Sequence, residues 1–347
     1  MSRALRGESF VEVTRGDLVE SVHEIAACMV DGSGAVRFAM GDSDASVFLR
    51  STAKPFIAAA AIAAGAREEF GLSDREIAVM SASHTGEPFH IDAVRSVLAK
   101  IGMDESALQC GAYPPYNVAA AQELERQGVA PGAIHNNCSG KHAGILALCR
   151  LVGADSATYL ELGNAAEQRI LHLCARLSGV EFSLLALGVD GCGIPVYAVG
   201  LRNAALSFAR FATLEGVGDG DAQALEIVRD AMLAYPEYVS GTGEFDAELM
   251  RAGRGDIACK SGAEGVHGTA AIASGVGLVV KVIDGSARAR GPAVCAILGG
   301  TGILEEAQLR SLQAFERPGV YNRAGRLVGE IRPAFSIPVS QARSVAR

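Results

Sequence analysis

The chain has 347 residues, with 31 Lys and Arg against 39 Asp and Glu and a formal net charge of −8. Hydrophobic residues make up 49% and charged residues 20%, a balance that excludes a disordered chain. An acidic balance, no Trp and only 12 Phe and 7 Tyr exclude both a phosphate-backbone footprint and a base-stacking surface, so no nucleic-acid partner is expected. Met1 to Glu8 contains no apolar run of the secretory kind. The longest apolar run, Pro55 to Ala64, is too short to cross a bilayer. The expectation is a cytoplasmic protein with no membrane partner, whose eight cysteines are thiols packed mostly in a core.

Taken in chain order, the pattern predicts a strand over 18–31, a turn at Asp31 to Gly34 and a return strand over 35–40. Helical patterns follow over 54–66, 74–81, 90–101, 118–127, 141–151, 159–177, 203–214 and 222–234. Near the C-terminus Gly277 to Ile283 reads as a strand, Asp284 to Ser286 as a turn, and 287–290 as a second return strand before a helical run over 292–298. Strands at both ends with helices between them predict an α/β fold, with a central antiparallel sheet built from N- and C-terminal strands, flanked by helices, and a largely helical subdomain. The chain reads as a single catalytic unit over 1–347, with the sheet part at about 10–50 and 255–335 and the helical part at about 51–254.

Three segments carry hydroxyl and amine chemistry. Ser51, Thr52, Ala53 and Lys54 spell S-x-x-K at the start of an apolar helix, placing the lysine on the serine's face one turn later. Burial and nearby cations turn such a lysine into a base near neutral pH. Lys260, Ser261 and Gly262 resemble the K-T-G element that accompanies S-x-x-K in serine β-lactamases and penicillin-binding proteins. Ser81 to Gly86 is a short polar loop whose Ser83 is a second candidate hydroxyl. Ser N-capping and surface turns remain open as the purely structural readings of these segments.

Two further segments carry thiols. Cys138 precedes a helix whose first residues include Lys141 and His142, and Cys192 lies in the Gly-rich loop Val189 to Gly193. A helix N-terminus and a lysine both depress a thiol's pKa. Two thiolates, one nitrogen and a water would form an open zinc site. General zinc chemistry favours His142 over Lys141 as the nitrogen, while a Cys nucleophile or two plain core thiols stay open.

Together Val13 to Ser21 with His23, Arg50 to Pro55, Ala82 to Glu87, Asn136 to Gly144, Val189 to Gly193 and Cys259 to Gly265 resemble the Rhizobium-type L-asparaginase family. The resemblance spans about residues 10 to 330 and implies a fold like that of serine β-lactamases and glutaminases. It implies hydrolysis of L-asparagine to L-aspartate and ammonia by two Ser-Lys pairs. Ser51 is then the nucleophile with Lys54 its base, and Ser83 with Lys260 relays protons. It also implies one zinc per subunit on Cys138, Lys141 and Cys192, modulating substrate affinity, which overrides the generic preference for His142. Substrate contacts fall to Arg50 and Asp190, with His142 behind them, and the assembly is expected to be a homodimer. The alternatives are a glutaminase or a β-lactam-reactive serine acyl enzyme of the same fold.

Overall fold

In this computed structural model residues 10–337 are described; the N-terminal segment read for a leader, Met1 to Glu8, lies outside them. The strands in chain order are β1 (Phe10–Arg15), β2 (Leu18–Asp31), β3 (Val36–Met40), β4 (Ser46–Phe48), β5 (Ala186–Val189), β6 (Pro195–Gly200), β7 (Ile257–Ser261), β8 (Val266–Ala271), β9 (Val276–Val282), β10 (Gly319–Tyr321) and β11 (Leu327–Pro333). The helices that matter below are α1 (Lys54–Ala63), α2 (Ala66–Phe70), α3 (Asp74–Met80), α4 (Pro88–Lys100), α5 (Val118–Arg126), α6 (Ser139–Val152), α7 (Ala165–Ser178), α8 (Leu201–Thr213) and α9 (Asp219–Ala234). They fall into two units: one runs through Val47 and adds Gly200–Thr213 and the chain from Ala252 onward, and the other holds Phe48–Val199 and Leu214–Arg251.

The first unit is organised by β2. Its run Ile25 to Val30 is entirely buried, as expected for a strand covered on both faces. Antiparallel neighbours extend from it in the order β10-β11-β1-β2-β9-β8-β7, with β3 also paired to β2. Ile25 faces Val282 and Val13 faces Ile331, so N- and C-terminal strands share one sheet, as the sequence predicts. α8 packs on β2, β8 and β9. Gly277 permits that approach, because a Cβ there would overlap the backbone of Ala205 and Ala209.

The second unit is helical around α1, whose residues Lys54 to Ile62 are all buried. Four consecutive alanines, Ala58 to Ala61, keep its surface thin, and α6, α7 and α9 pack against it. α3 opens with a capping box, in which Ser73 accepts from Glu76 N–H and the Glu76 carboxylate accepts from Ser73 N–H. That fixes where the helix starts, and it ends at the Ser81 loop. Gly140, in the first turn of α6, sits against the backbone of Val79 so closely that any Cβ would overlap its carbonyl. This one contact brings the start of α6 beside the end of α3, and with it Cys138 beside Ser83.

Three expectations need correction. No return strand forms over 287–290: Ala287–Ala289 is a 3-10 turn leading into a helix at Arg290–Gly300, because Ala and Arg favour helix and the segment has no β-branched residue until Val294. The helix expected from 159 begins only at Ala165, where the Asn164 side chain accepts the Ala166 N–H and caps it. The helix expected over 203–214 is α8, and it belongs to the sheet unit instead of the helical part.

The Gly140 contact makes a prediction. Gly140→Ala should cost roughly 2–3 kcal/mol by overpacking against a backbone carbonyl that has nowhere to move. Denaturant unfolding checks it, and an unchanged midpoint would show that the α3–α6 contact is not tight.

Candidate active site

α1 is entered through a 3-10 turn, Arg50–Ala53. Residues three apart eclipse in such a turn, so Ser51 and Lys54 share a face. Arg50 begins it with φ 51°, a left-handed conformation that a non-glycine residue holds at some cost. The bend turns its guanidinium to Asp190, whose Oδ1 accepts from Arg50 Nε at 2.8 Å. Asp190 also accepts from the Gly191 N–H at 2.8 Å. Burial works against its charge, but Lys141, the Gly191 N–H and Arg50 together hold its carboxyl below the usual range.

Lys54 is 1% exposed. Its Nζ donates to the Ala82 carbonyl at 2.6 Å and to Ser83 Oγ at 2.9 Å, and lies 3.2 Å from Cys138 Sγ. The amine that the sequence places beside Ser51 thus also reaches the second serine. Ser51 Oγ itself has no hydrogen-bond partner among the described residues. A serine poised as a nucleophile needs such an unengaged oxygen.

The two loops that present Ser83 and Cys138 are stapled by His84, which is fully buried. His84 N–H donates to the Asn137 carbonyl at 3.1 Å. The Gly86 N–H donates to His84 Nδ1 at 3.1 Å, so Nε2 carries the ring proton and donates to Ser139 Oγ at 2.8 Å. Burial, with the neighbouring His90 and Lys54, keeps this imidazole neutral, its pKa well below the ordinary value. Asn136 braces the other side, accepting from the Cys138 N–H at 2.9 Å and donating to the Cys110 and Gly111 carbonyls.

Lys141, on the next turn of α6 after Cys138, donates to Cys192 Sγ at 2.8 Å. Cys192 is hydrogen-bonded to Cys138, and the pair shares its protons unequally. That bond, then Lys141 and Lys54, hold Cys138 well below the usual thiol range despite burial, while the same bond and burial push Cys192 up. Burial opposes the Lys141 ammonium, yet Cys138, Cys192 and Asp190 raise its pKa above the usual value. Two thiols and a buried amine converge here, a donor set of the N/S kind that zinc prefers. His142 stands apart from them. Its Nδ1 is 2.7 Å from Tyr159 Oη, which accepts from the Gln109 N–H at 2.7 Å. Its Nε2 is buried without a partner.

Arg50, Lys54, Lys141 and Asp190 line one small hollow, closed by Ile57, Ile170 and Leu171. The structure therefore gathers, within the helical unit, seven of the ten residues expected to act by hydrogen bonds or a common wall: Arg50, Lys54, Ser83, Cys138, Lys141, Asp190 and Cys192. Ser51 adjoins them in sequence. Lys260 lies in the sheet unit on the edge strand β7, buried, with Nζ donating to the Ser261 carbonyl at 2.8 Å.

Sequence reasoning gave no chemical role to Tyr159 or His84. It also missed Glu167, in the first turn of α7 three residues before Ile170. Glu167 is 1% exposed and its Oε1 has no hydrogen-bond partner. Burial pushes its carboxyl up to about 8, with Lys141 pulling the other way. An acid at a position that helical spacing puts in line with Ile170 was the only available signal.

With the geometry in hand, the comparisons define a class. The L-asparaginase II family model matches residues 11–333. The chain belongs to the L-asparaginase II family, a family of the amidohydrolase type. Solved structures with similarity include Mglu in its native form in 4.3 M NaCl, with 17% identity, a TM-score of 0.43, and coverage of 80% of this chain and 64% of that one. A second native Mglu structure has 14% identity, a TM-score of 0.42, and coverage of 84% and 63%. The chain thus spans just under two thirds of Mglu's length. A β-lactamase from Mycobacterium bovis has 16% identity, a TM-score of 0.37, and coverage of 76% of this chain and 88% of that one. No curated protein matches. No helix among the described residues is long and apolar enough to cross a membrane.

Glu167 generates a prediction with a fixed sign. Its folded pKa lies above the ordinary 4.5, so between about pH 4.5 and 8 the folded state binds more protons than the unfolded one, and stability falls as pH rises through that window. Glu167→Gln removes the titration. Thermal melts should show a smaller loss of midpoint between about pH 5 and 8 in the variant than in the parent chain. Identical pH slopes would mean that the Glu167 carboxyl is not held protonated.

Proposed function

We propose that this chain hydrolyses L-asparagine to L-aspartate and ammonia. The observation that carries the reading is Lys54, a buried amine one 3-10 turn after Ser51 and 2.9 Å from Ser83 Oγ, in a chain of the L-asparaginase II family. The substrate is a zwitterion with a neutral side-chain amide. The Arg50–Asp190 pair can open to receive it, with Arg50 taking the α-carboxylate and Asp190 the α-ammonium, so that each charge exchanges one partner for another.

The chemistry is acyl transfer. Ser51 Oγ attacks the side-chain amide carbon as Lys54 accepts the hydroxyl proton. The C–N bond then breaks, and the leaving nitrogen takes a proton back from Lys54 and departs as ammonia. Water enters, Lys54 accepts one of its protons, and the hydroxide adds to the β-aspartyl ester. The ester C–O bond breaks, Ser51 recovers its proton, and aspartate leaves. Ser83, bonded to Lys54, orients the amine toward Ser51 and offers it a route for exchanging its proton. Lys260 is assigned a supporting lysine role that substitution can test.

The residues fit a zinc ion as well. Cys138, Lys141 and Cys192 would hold it once the thiols and the amine give up their protons. Bound there, it would add positive charge beside the substrate pocket and keep a fourth position open. Cys138 and Asn136 set the local geometry, and His142 Nε2–H, fixed by Tyr159, is left as a donor within the same buried region.

Two predictions test this reading. Ser51→Ala should lower kcat for ammonia release from asparagine by at least about a thousandfold, with Ser83→Ala less severe because it removes only the group that orients Lys54. A Ser51→Ala protein that keeps full turnover would remove Ser51 from the mechanism. For the metal, elemental analysis of purified protein should find about one zinc per chain, lost in Cys138→Ala and Cys192→Ala, with KM raised more than kcat falls. Parent protein reconstituted with Zn²⁺ that retains no more metal than those variants would overturn the site.

A further inference from the structure

α7 carries a second stripe of side chains that the proposed mechanism leaves unused. Arg169, His172 and Arg176 are spaced by three and four residues, so they line up along one side of the helix. A hollow of about 550 Å³ opens along that stripe, and a neighbouring one of about 360 Å³ shares His172 and Arg176. The wall opposite is made of Ala60 and Ala63 from α1, and these small side chains are what leave the space.

The polar groups are arranged for an anion. Arg176 is held in place by Asp221, which accepts from its Nε at 3.1 Å and its Nη2 at 2.6 Å. His172 lies flat on Phe182, with ring centroids 4.0 Å apart and planes at 18°, so its nitrogens are fixed at the ring edge. Arg169 has no ion-pair or hydrogen-bond partner among the described residues. The larger hollow is lined by the two guanidiniums and one carboxylate, Asp221, while Glu181 lines the neighbouring one.

We propose that this hollow binds a small dicarboxylate of four or five carbons. Arg169 forks one carboxylate, Arg176 and His172 meet the other, and the short methylene body lies on the alanines. A fork of two N–H donors suits a carboxylate in a way a lone point charge does not. The position has a consequence for the reaction: α7 turns Ile170 and Leu171 into the hollow of Arg50, Lys54 and Lys141, so one helix forms a wall of both places. The dicarboxylate that the proposed reaction releases belongs to this chemical class, although binding itself does not rest on that reading.

The test uses succinate, which is neither an amide substrate nor its product, titrated calorimetrically into the full chain at fixed ionic strength. Saturable binding of one succinate per chain is expected. It should weaken at least tenfold in Arg169→Ala, which removes an unpaired guanidinium, and in Ala165→Phe, which fills the hollow from an exposed lining position. It should persist in Arg50→Ala, and chloride at the same ionic strength should not displace it. The absence of saturable binding, equal affinity in Arg169→Ala and Ala165→Phe, loss in Arg50→Ala, or displacement by chloride would each overturn the proposal. Because none of these arms measures turnover, a failure here is distinct from failure of the asparagine reading.

Discussion

The site depends on where one amine is held. Lys54 Nζ meets the Ala82 carbonyl, Ser83 Oγ and Cys138 Sγ within 3.2 Å. Lys54 starts α1, Ala82 and Ser83 lie in the loop after α3, and Cys138 lies in the segment before α6. These three segments are far apart in sequence. They meet because α6 presses its first turn onto the end of α3 at Gly140, and because His84 and Asn136 tie the two loops together. An amine buried this completely must be satisfied in every direction, so the same three contacts that position it also fix the serine and the thiol that surround it.

The charge arrangement follows from that burial. Arg50 and Lys141 are two cations in one small region, and Asp190 with the Cys138 and Cys192 pair supplies the compensating negative charge. The raised Lys141, the depressed Cys138 and the depressed Asp190 are one electrostatic pattern seen from three groups. It is also the pattern a substrate with an ammonium, a carboxylate and a neutral amide can enter without leaving any charge bare. Glu167 is the exception, a buried acid whose Oε1 lacks a hydrogen bond and whose pKa burial raises to about 8.

Part of the arrangement was legible in the sequence. Cys138 and Cys192 stand in short polar or Gly-rich segments that local chemistry singles out, whereas Lys141 in place of His142, and Arg50 with Asp190, came only from the family resemblance. The antiparallel sheet of N- and C-terminal strands was legible from the alternation in 18–31 and 277–283. Less legible was anything fixed by distant packing. The strands β7 and β8 are short and, Ser261 apart, are buried by their neighbours, so they lack the alternation of a half-exposed strand. α8 has a strong apolar face, but no periodicity reveals that its partner is a sheet. Lys54 reaching Ser83 and not only Ser51, and Tyr159 fixing His142, are contacts across tens of residues that no local pattern encodes.

The central claim is that Ser51, with its oxygen unengaged and Lys54 beside it, forms a covalent bond to the substrate. Mixing the full chain with L-asparagine, quenching in acid within the first turnovers and mapping the peptides by mass spectrometry tests it most directly. The account predicts a β-aspartyl ester on the peptide that contains Ser51, and none on the peptide that contains Ser83. An ester on Ser83, or steady ammonia release with Ser51 never acylated even in a variant whose deacylation is slowed, would contradict it.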